Sequence, residues 1–133
     1  MKFYEPDILA SAKLVAGEEA VVEGATRVAG AVPKLCVTPS DVETLSATVK
    51  WANDAGQTIV PVGGGTKMEW GSLPSRVDIA LSMAKLSVDF EHHQGDLIAT
   101  IGAGMPLAAA NILLAQYGQW LPVDPNHANE ATI

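Results

Sequence analysis

The chain holds a single cysteine, Cys36, in 133 residues, so no disulfide can form within it. A lone thiol suits a reducing compartment. Its place in the apolar run Leu35-Cys36-Val37 predicts a buried core thiol. Basic residues are also few: 8 Lys and Arg stand against 15 Asp and Glu, for a net charge of −7. They form no patch or stripe, which argues against nucleic-acid binding. No apolar run approaches the roughly 18 residues of a membrane span. The N-terminus lacks the basic-then-apolar pattern of a secretory signal. A cytoplasmic location is the expectation. Of the three histidines, His92 and His93 are adjacent and His127 is remote. Neighbours on a strand point to opposite faces, so no metal site is expected, and the pair reads as part of a solvated turn. No G-x-S-x-G nucleophile elbow is present.

What is there suffices for one domain with its own core: 48% of the residues are hydrophobic and 17% charged. Residues 4–16 read as a helix, with Pro6 in its first turn, Asp7 at its positive end and Gly17 as its stop. Ile8, Leu9, Ala12 and Val15 make its apolar stripe. Val21, Val22, Ala25 and Val28 suggest a second short helix over 18–28. Lys34 to Val37 is a strand. Ser40 and Glu43 form a capping box for a helix over 41–55, with Val42, Leu45, Val49 and Ala52 inward and Gly56 as its stop. A strand over 58–62 follows at once. Two strands joined through a helix should run parallel. Further strands are expected at 77–81, 87–91 and 97–101, the last two as a hairpin, then a helix over 106–117 and an irregular Pro-rich tail.

The stretch Pro61-Val62-Gly63-Gly64-Gly65-Thr66-Lys67-Met68-Glu69-Trp70-Gly71 leaves the 58–62 strand at its C-terminal end, where ligands gather in parallel sheets. Consecutive glycines let a backbone adopt positive φ and come close to a ligand, and successive amides there can cradle an anion. A ligand-free tight turn would use the same residues. Two known phosphate motifs fail: Lys67 precedes Met68 where Walker A needs Ser or Thr, and Gly63, Gly65 and Met68 break the G-x-G-x-x-G pattern.

The run Val37-Thr38-Pro39-Ser40-Asp41-Val42-Glu43, the helix end Trp51-Ala52-Asn53-Asp54-Ala55-Gly56, and Ile59 to Thr66 together resemble the FAD-binding domain of the vanillyl-alcohol oxidase family, also called the p-cresol methylhydroxylase (PCMH) type. Later segments are similar in the same order: Val77 to Met83, Ile101-Gly102-Ala103-Gly104-Met105, Leu121-Pro122-Val123-Asp124-Pro125 and Ala131-Thr132-Ile133. Gly118 to Pro122 and Glu130 to Thr132 look most like the FAD-binding (E) subunit of glycolate oxidase. The resemblance covers residues 33–133, leaving 1–32 as a helical lead-in.

The resemblance implies an α+β fold: a small parallel β-α-β subdomain, then the start of a mainly antiparallel α+β subdomain. It implies FAD as cofactor, with Pro61, Val62, Gly63, Gly64, Gly65, Thr66 and Lys67 around the diphosphate, mainly through backbone amides. Trp70 and Gly71 would continue that wall, though Trp70 also reads as a surface aromatic. Leu121, Pro122, Asp124 and Thr132 would lie near the flavin or ribityl chain, though Asp124 also reads as a turn residue. Thr66 stands where members with histidyl-linked flavin carry His, so the cofactor would be non-covalent at this loop. Val62 stands where many members have Arg. The implied activity is oxidation of a small 2-hydroxy acid, glycolate-oxidase-like, with the substrate held elsewhere and partner subunits providing membrane association. The alternative is a non-catalytic binding or assembly module that has the fold without flavin. The abrupt end at Ala131-Thr132-Ile133 leads us to expect an N-terminal fragment, inactive alone.

Overall fold

The computed structural model describes residues 7–24 and 27–133. Helix α1 (Ile8–Ala16) opens the described chain, with the Asp7 carboxylate accepting from the Leu9 and Ala10 amides at 3.1 and 3.3 Å. Pro6 and residues 4–5, expected in this helix, lie outside the described residues. The helix anticipated over 18–28 does not form. A 3₁₀ turn at Glu18–Ala20 leads into strand β1 (Val21–Glu23), and Val28 makes an isolated bridge with Ala31. Ala25 of that expectation lies outside the described residues. Val21 and Val22 are β-branched, and pairing with a sheet edge outweighs their weak helical spacing.

Strand β2 (Leu35–Val37), helix α2 (Val42–Asp54), strand β3 (Ile59–Val62) and strand β4 (Ile79–Ser82) complete the first layer. The sheet order is β1-β2-β4-β3, with β1 antiparallel and the other three parallel. The expected parallel relation of β2 and β3 holds, but β4 lies between them. The α2 cap is Asp41, not Ser40. The Asp41 carboxylate accepts from the Thr44 amide at 2.7 Å, while the Ser40 hydroxyl donates to it at 2.6 Å. Those bonds, Ser40's first, lower the Asp41 carboxyl to about 2.

Alternation along the strands divides the core. Leu35, Val37, Ile59, Ile79 and Leu81 face α1 and α2, meeting Ala12, Leu45, Trp51 and Ala52. Cys36, Val60, Val62 and Ala80 face the other way, toward Val28, Ala29 and Met68. Cys36 is half-buried, less than its apolar run suggested. On α2 the buried residues are Thr48 and Ala52, whereas Val42 and Val49 are exposed. The Thr48 hydroxyl donates to the Thr44 carbonyl at 2.7 Å, which lets a polar side chain occupy the inward face.

The second layer begins with strands β5 (Phe90–His93) and β6 (Ile98–Ile101), an antiparallel pair joined by a 3₁₀ turn at Gln94–Asp96. Helix α3 (Leu107–Ala115) follows, with Leu107, Ala110 and Leu114 buried as expected. The histidines lie on β5 itself, not in a solvated turn. His93 is exposed beside Glu91 at 3.0 Å. His92 is half-buried, edge-on to Tyr117 with ring centroids 4.7 Å apart. Gln119 Nε2 donates to the Gln94 carbonyl, so its Oε1 accepts from His92 Nε2 at 2.8 Å. Among the described residues no helix is long and apolar enough to cross a membrane.

One buried charge fixes the first layer. Asp78, just before β4, has no exposed surface. Its carboxylate accepts from the Thr58 amide (2.8 Å), the Thr58 hydroxyl (2.7 Å) and Arg76 Nε (2.7 Å), and pairs with Lys34 Nζ at 3.1 Å. Burial by itself would raise its pKa. The two Thr58 bonds, then Arg76 and Lys34, outweigh burial and hold the carboxyl well below the usual range. Its backbone joins in: the Asp78 amide donates to the Thr58 carbonyl and its carbonyl accepts from the Leu35 amide.

Asp78→Ala should cost about 3 kcal/mol in urea unfolding, the low end for a broken buried pair because Lys34 and Arg76 stay solvated. The folded pKa lies below the unfolded one, so the carboxylate's stabilisation is complete above about pH 4 and falls away as the pH drops through the folded value. The unfolding free energy should therefore fall with the pH across that acid range for the native chain, and fall less for Asp78→Asn.

Candidate functional site

The glycine loop leaves β3 at the carboxyl edge of the sheet. Ile59 to Val62 are held by β4 in register, and the Met83 amide donates to the Val62 carbonyl at 2.9 Å. The loop thus starts from a fixed point. Opposite it runs the irregular segment 119–133, tied down at both ends. The Leu121 amide donates to Asn111 Oδ1 on α3 at 2.8 Å. The Ile133 amide donates to the Met105 carbonyl, the Leu107 amide donates to the Ala131 carbonyl, and Thr132 bridges Pro106.

Where loop and segment meet, the glycines are required, though for a partner the sequence did not reveal. A Cβ on Gly63 would collide with the Thr132 hydroxyl, and one on Gly64 with the Glu130 carbonyl. The Gly64 amide donates to Thr132 Oγ1 at 3.1 Å. Two of the three glycines therefore admit the chain's own returning segment, and one expected anion donor is engaged there. Gly65 differs: its φ is 72°, and a Cβ there would meet nothing within 4 Å. Among the described residues the Gly65 and Thr66 amides have no hydrogen-bond partner. They are free donors, as are the Gly63 and Lys67 amides on the same wall.

Between loop and segment lies an open cavity of about 570 Å³. Gly63, Gly64, Gly65, Thr66, Lys67, Leu121 and Thr132, all anticipated, line it. So do Met68, Leu107, Val123, Pro125, Ala131 and Ile133, which were not. Val123 and Pro125 sit in the same Pro-rich run as the anticipated residues, so that run was the available signal. Ala131 and Ile133 flank the anticipated Thr132 in the resembling run at the chain's end, whereas Leu107 had no signal, because only the tertiary fold brings α3 to the loop.

The remaining anticipated residues are placed elsewhere. Pro61 is exposed on β3, and Gly71 and Asp124 are exposed outside the cavity wall. Val62 and Trp70 line a groove on the loop's other side, with Arg27, Gly30, Gly65 and Thr66. Trp70 is 67% exposed. Pro122 lines a neighbouring cavity with His92, Gln119 and Trp120, and Leu121 lines both.

The donor set fits a dinucleotide. Free amides and an ammonium at the loop suit a diphosphate, and Leu107, Leu121, Val123 and Pro125 offer an apolar wall to a ring system. Thr66 presents no nucleophile of the kind that links flavin at this position.

Comparison with known proteins agrees. The family model described as "FAD binding domain" matches residues 33–133. The D-2-hydroxyglutarate dehydrogenase of Xanthomonas citri pv. viticola is 33% identical over 92 residues, covering 69% of this chain and 20% of that protein. The D-lactate dehydrogenase of Archaeoglobus fulgidus is 32% identical over 97 residues, covering 73% of this chain and 21% of that protein. The chain thus spans about a fifth of the length of these relatives. Among solved structures, alkyldihydroxyacetonephosphate synthase superposes with a TM-score of 0.66 at 24% identity, over 76% of this chain and 21% of that one. Substrate-bound p-cresol methylhydroxylase does so with a TM-score of 0.66 at 16% identity, over 83% and 24%. A parallel sheet beside a smaller antiparallel one, a glycine loop at the carboxyl end of β3, and a family match over residues 33–133 together place this chain in the FAD binding domain family, with the PCMH-type fold.

Proposed function

We propose that the chain is the cofactor-holding part of an FAD-dependent oxidoreductase acting on a small 2-hydroxy acid, with glycolate the first candidate. The observation that carries this reading is the walled cavity, whose free Gly65 and Thr66 amides and apolar Leu121–Pro125 side match the two chemistries of a flavin dinucleotide. Relatives named for D-lactate and D-2-hydroxyglutarate oxidation support the 2-hydroxy-acid class. The likeness of Gly118 to Pro122 to the glycolate oxidase E subunit supports glycolate within it.

The bound flavin would supply hydride acceptance at its N5. The chain's own residues bind and orient. Gly65 and Thr66 present N–H groups to the diphosphate. Leu107, Leu121, Val123 and Pro125 exclude water from one side of the ring system. Thr132, fixed by the Gly64 amide, holds the two walls at a set spacing. Substrate selection and proton removal fall to residues outside this chain. Partner subunits, and a cytoplasmic site of action at a membrane reached through them, belong to the same proposal.

Absorbance spectra of the purified protein with added FAD should show perturbed flavin bands that survive gel filtration. Gly65→Val should weaken that uptake about tenfold or more, because a β-branched residue resists positive φ. Loss of flavin from the native chain on gel filtration would count against the reading. For the substrate, the native protein as isolated from cells should show its flavin bleached anaerobically by glycolate faster than by D-lactate or D-2-hydroxyglutarate. The reverse order would assign it to one of the other acids.

A further inference from the structure

The cavity contains one cation, and its partners are neutral. Lys67 Nζ donates to Thr66 Oγ1 at 2.8 Å and to the Asn126 carbonyl at 3.4 Å, and lies 5.9 Å from the centroid of the Trp70 ring. Among the described residues it has no carboxylate partner, in a chain whose acidic groups outnumber its basic ones 15 to 8. An ammonium has three donors. Here one is well used and one is stretched to the 119–133 segment. Lys67 is also half-buried, so its charge is less screened than a surface lysine's. Its loop position follows the free amides of Gly65 and Thr66.

Resting on the FAD reading above, we propose that Lys67 is the charged clamp of the cofactor's diphosphate and that it exchanges partners to do so. Without anion it tethers the loop to the 119–133 segment through the Asn126 carbonyl. A diphosphate oxygen replaces that carbonyl, because it brings a full opposite charge to the ammonium where the present acceptor is neutral and held only at 3.4 Å. Binding of the anion therefore releases Asn126 from the loop. The clamp distinguishes FAD from flavins without phosphate, and it supplies locally the positive potential that the chain as a whole lacks.

The full 133-residue chain and its Lys67→Gln and Lys67→Arg variants are titrated with inorganic pyrophosphate, FAD and riboflavin. In parallel, the His127 amide, which shares its peptide unit with the Asn126 carbonyl, is followed by NMR. Lys67→Gln should bind pyrophosphate and FAD about 10- to 100-fold more weakly, the range for losing one bond to a charged group, with riboflavin unaffected. Lys67→Arg should recover most of the loss, which separates a charge effect from misfolding. Pyrophosphate should shift the His127 amide in the native chain and not in Lys67→Gln. Equal pyrophosphate affinity in native chain and Lys67→Gln, or an unmoved His127 amide in the native chain, overturns the clamp. Lys67-dependent pyrophosphate binding without FAD uptake sustains the clamp and overturns the flavin reading alone.

Discussion

The buried carboxylate of Asp78 is the constraint on which the rest of the site depends. It receives the amide and hydroxyl of Thr58, the residue before β3, and sits beside Lys34, the residue before β2. Its own position precedes β4. A single side chain thus aligns the starting ends of all three parallel strands. A strand whose start is fixed and whose register is set by β4 delivers its last residue to one place. The loop from Gly63 onward begins there. Ionisation is held because the Thr58 donors sit where water would otherwise be needed, and the two cations lie at the rim where their own hydration is retained. A hydrophobic residue at position 78 could pack against the core. It would leave the Thr58 amide without its partner, and so free the end of the strand that carries the loop.

The second constraint is a close approach of chain to chain. The segment at Glu130–Thr132 lies so near Gly63 and Gly64 that no side chain fits between them. Residues nearly seventy positions apart therefore form one wall. The Thr132 hydroxyl occupies the place a Cβ would fill and takes the Gly64 amide. Part of a glycine run that reads as a ligand cradle is thus a packing device for the cavity's far side. The cradle differs from what three glycines suggest: Gly65 at positive φ, the free amides around it and a lysine.

Much of the fold was legible because period and punctuation agreed. Helices α2 and α3 and strands β2, β3 and β6 followed apolar spacing bounded by Gly or Pro. Where they disagreed, tertiary contacts decided. Val21 and Val22 sit at spacing that fits a helix as well as a strand, and the open edge of β2 drew them into β1. Thr48 was passed over in favour of Val49, because hydrophobicity ranks them and only the bond to the Thr44 carbonyl shows how a hydroxyl can be buried. The insertion of β4 between β2 and β3 had no local signature, since strand order is a property of pairing and not of sequence adjacency. The resemblance located the loop and the 121–132 segment. It did not indicate that Leu107 lines the cavity, and Pro61, Gly71 and Asp124 are not among the cavity's lining.

An acidic chain that binds an anion must separate its local field from its net charge. Here geometry does so. The acidic residues nearest in sequence to the cavity's lining are Glu69, Asp124 and Glu130, all exposed, where solvent and salt screen them. The Thr66 amide and the Lys67 ammonium lie at half-buried positions, where the effective dielectric is lower and each charge counts for more, with the Gly65 amide beside them. Of the other described basic residues, Lys34 and Arg76 are committed to Asp78, Lys50 to Asp54 and Lys13 to Glu18, while Arg27 stands on the loop's other side in the groove with Gly65 and Thr66. A net charge of −7 is therefore compatible with a phosphate site. It also sets that site's character, because attraction confined to one turn cannot steer ligands from a distance. Association with a dinucleotide should owe more to short-range fit than to long-range capture. That agrees with a cavity whose other wall is apolar and contributes only on contact.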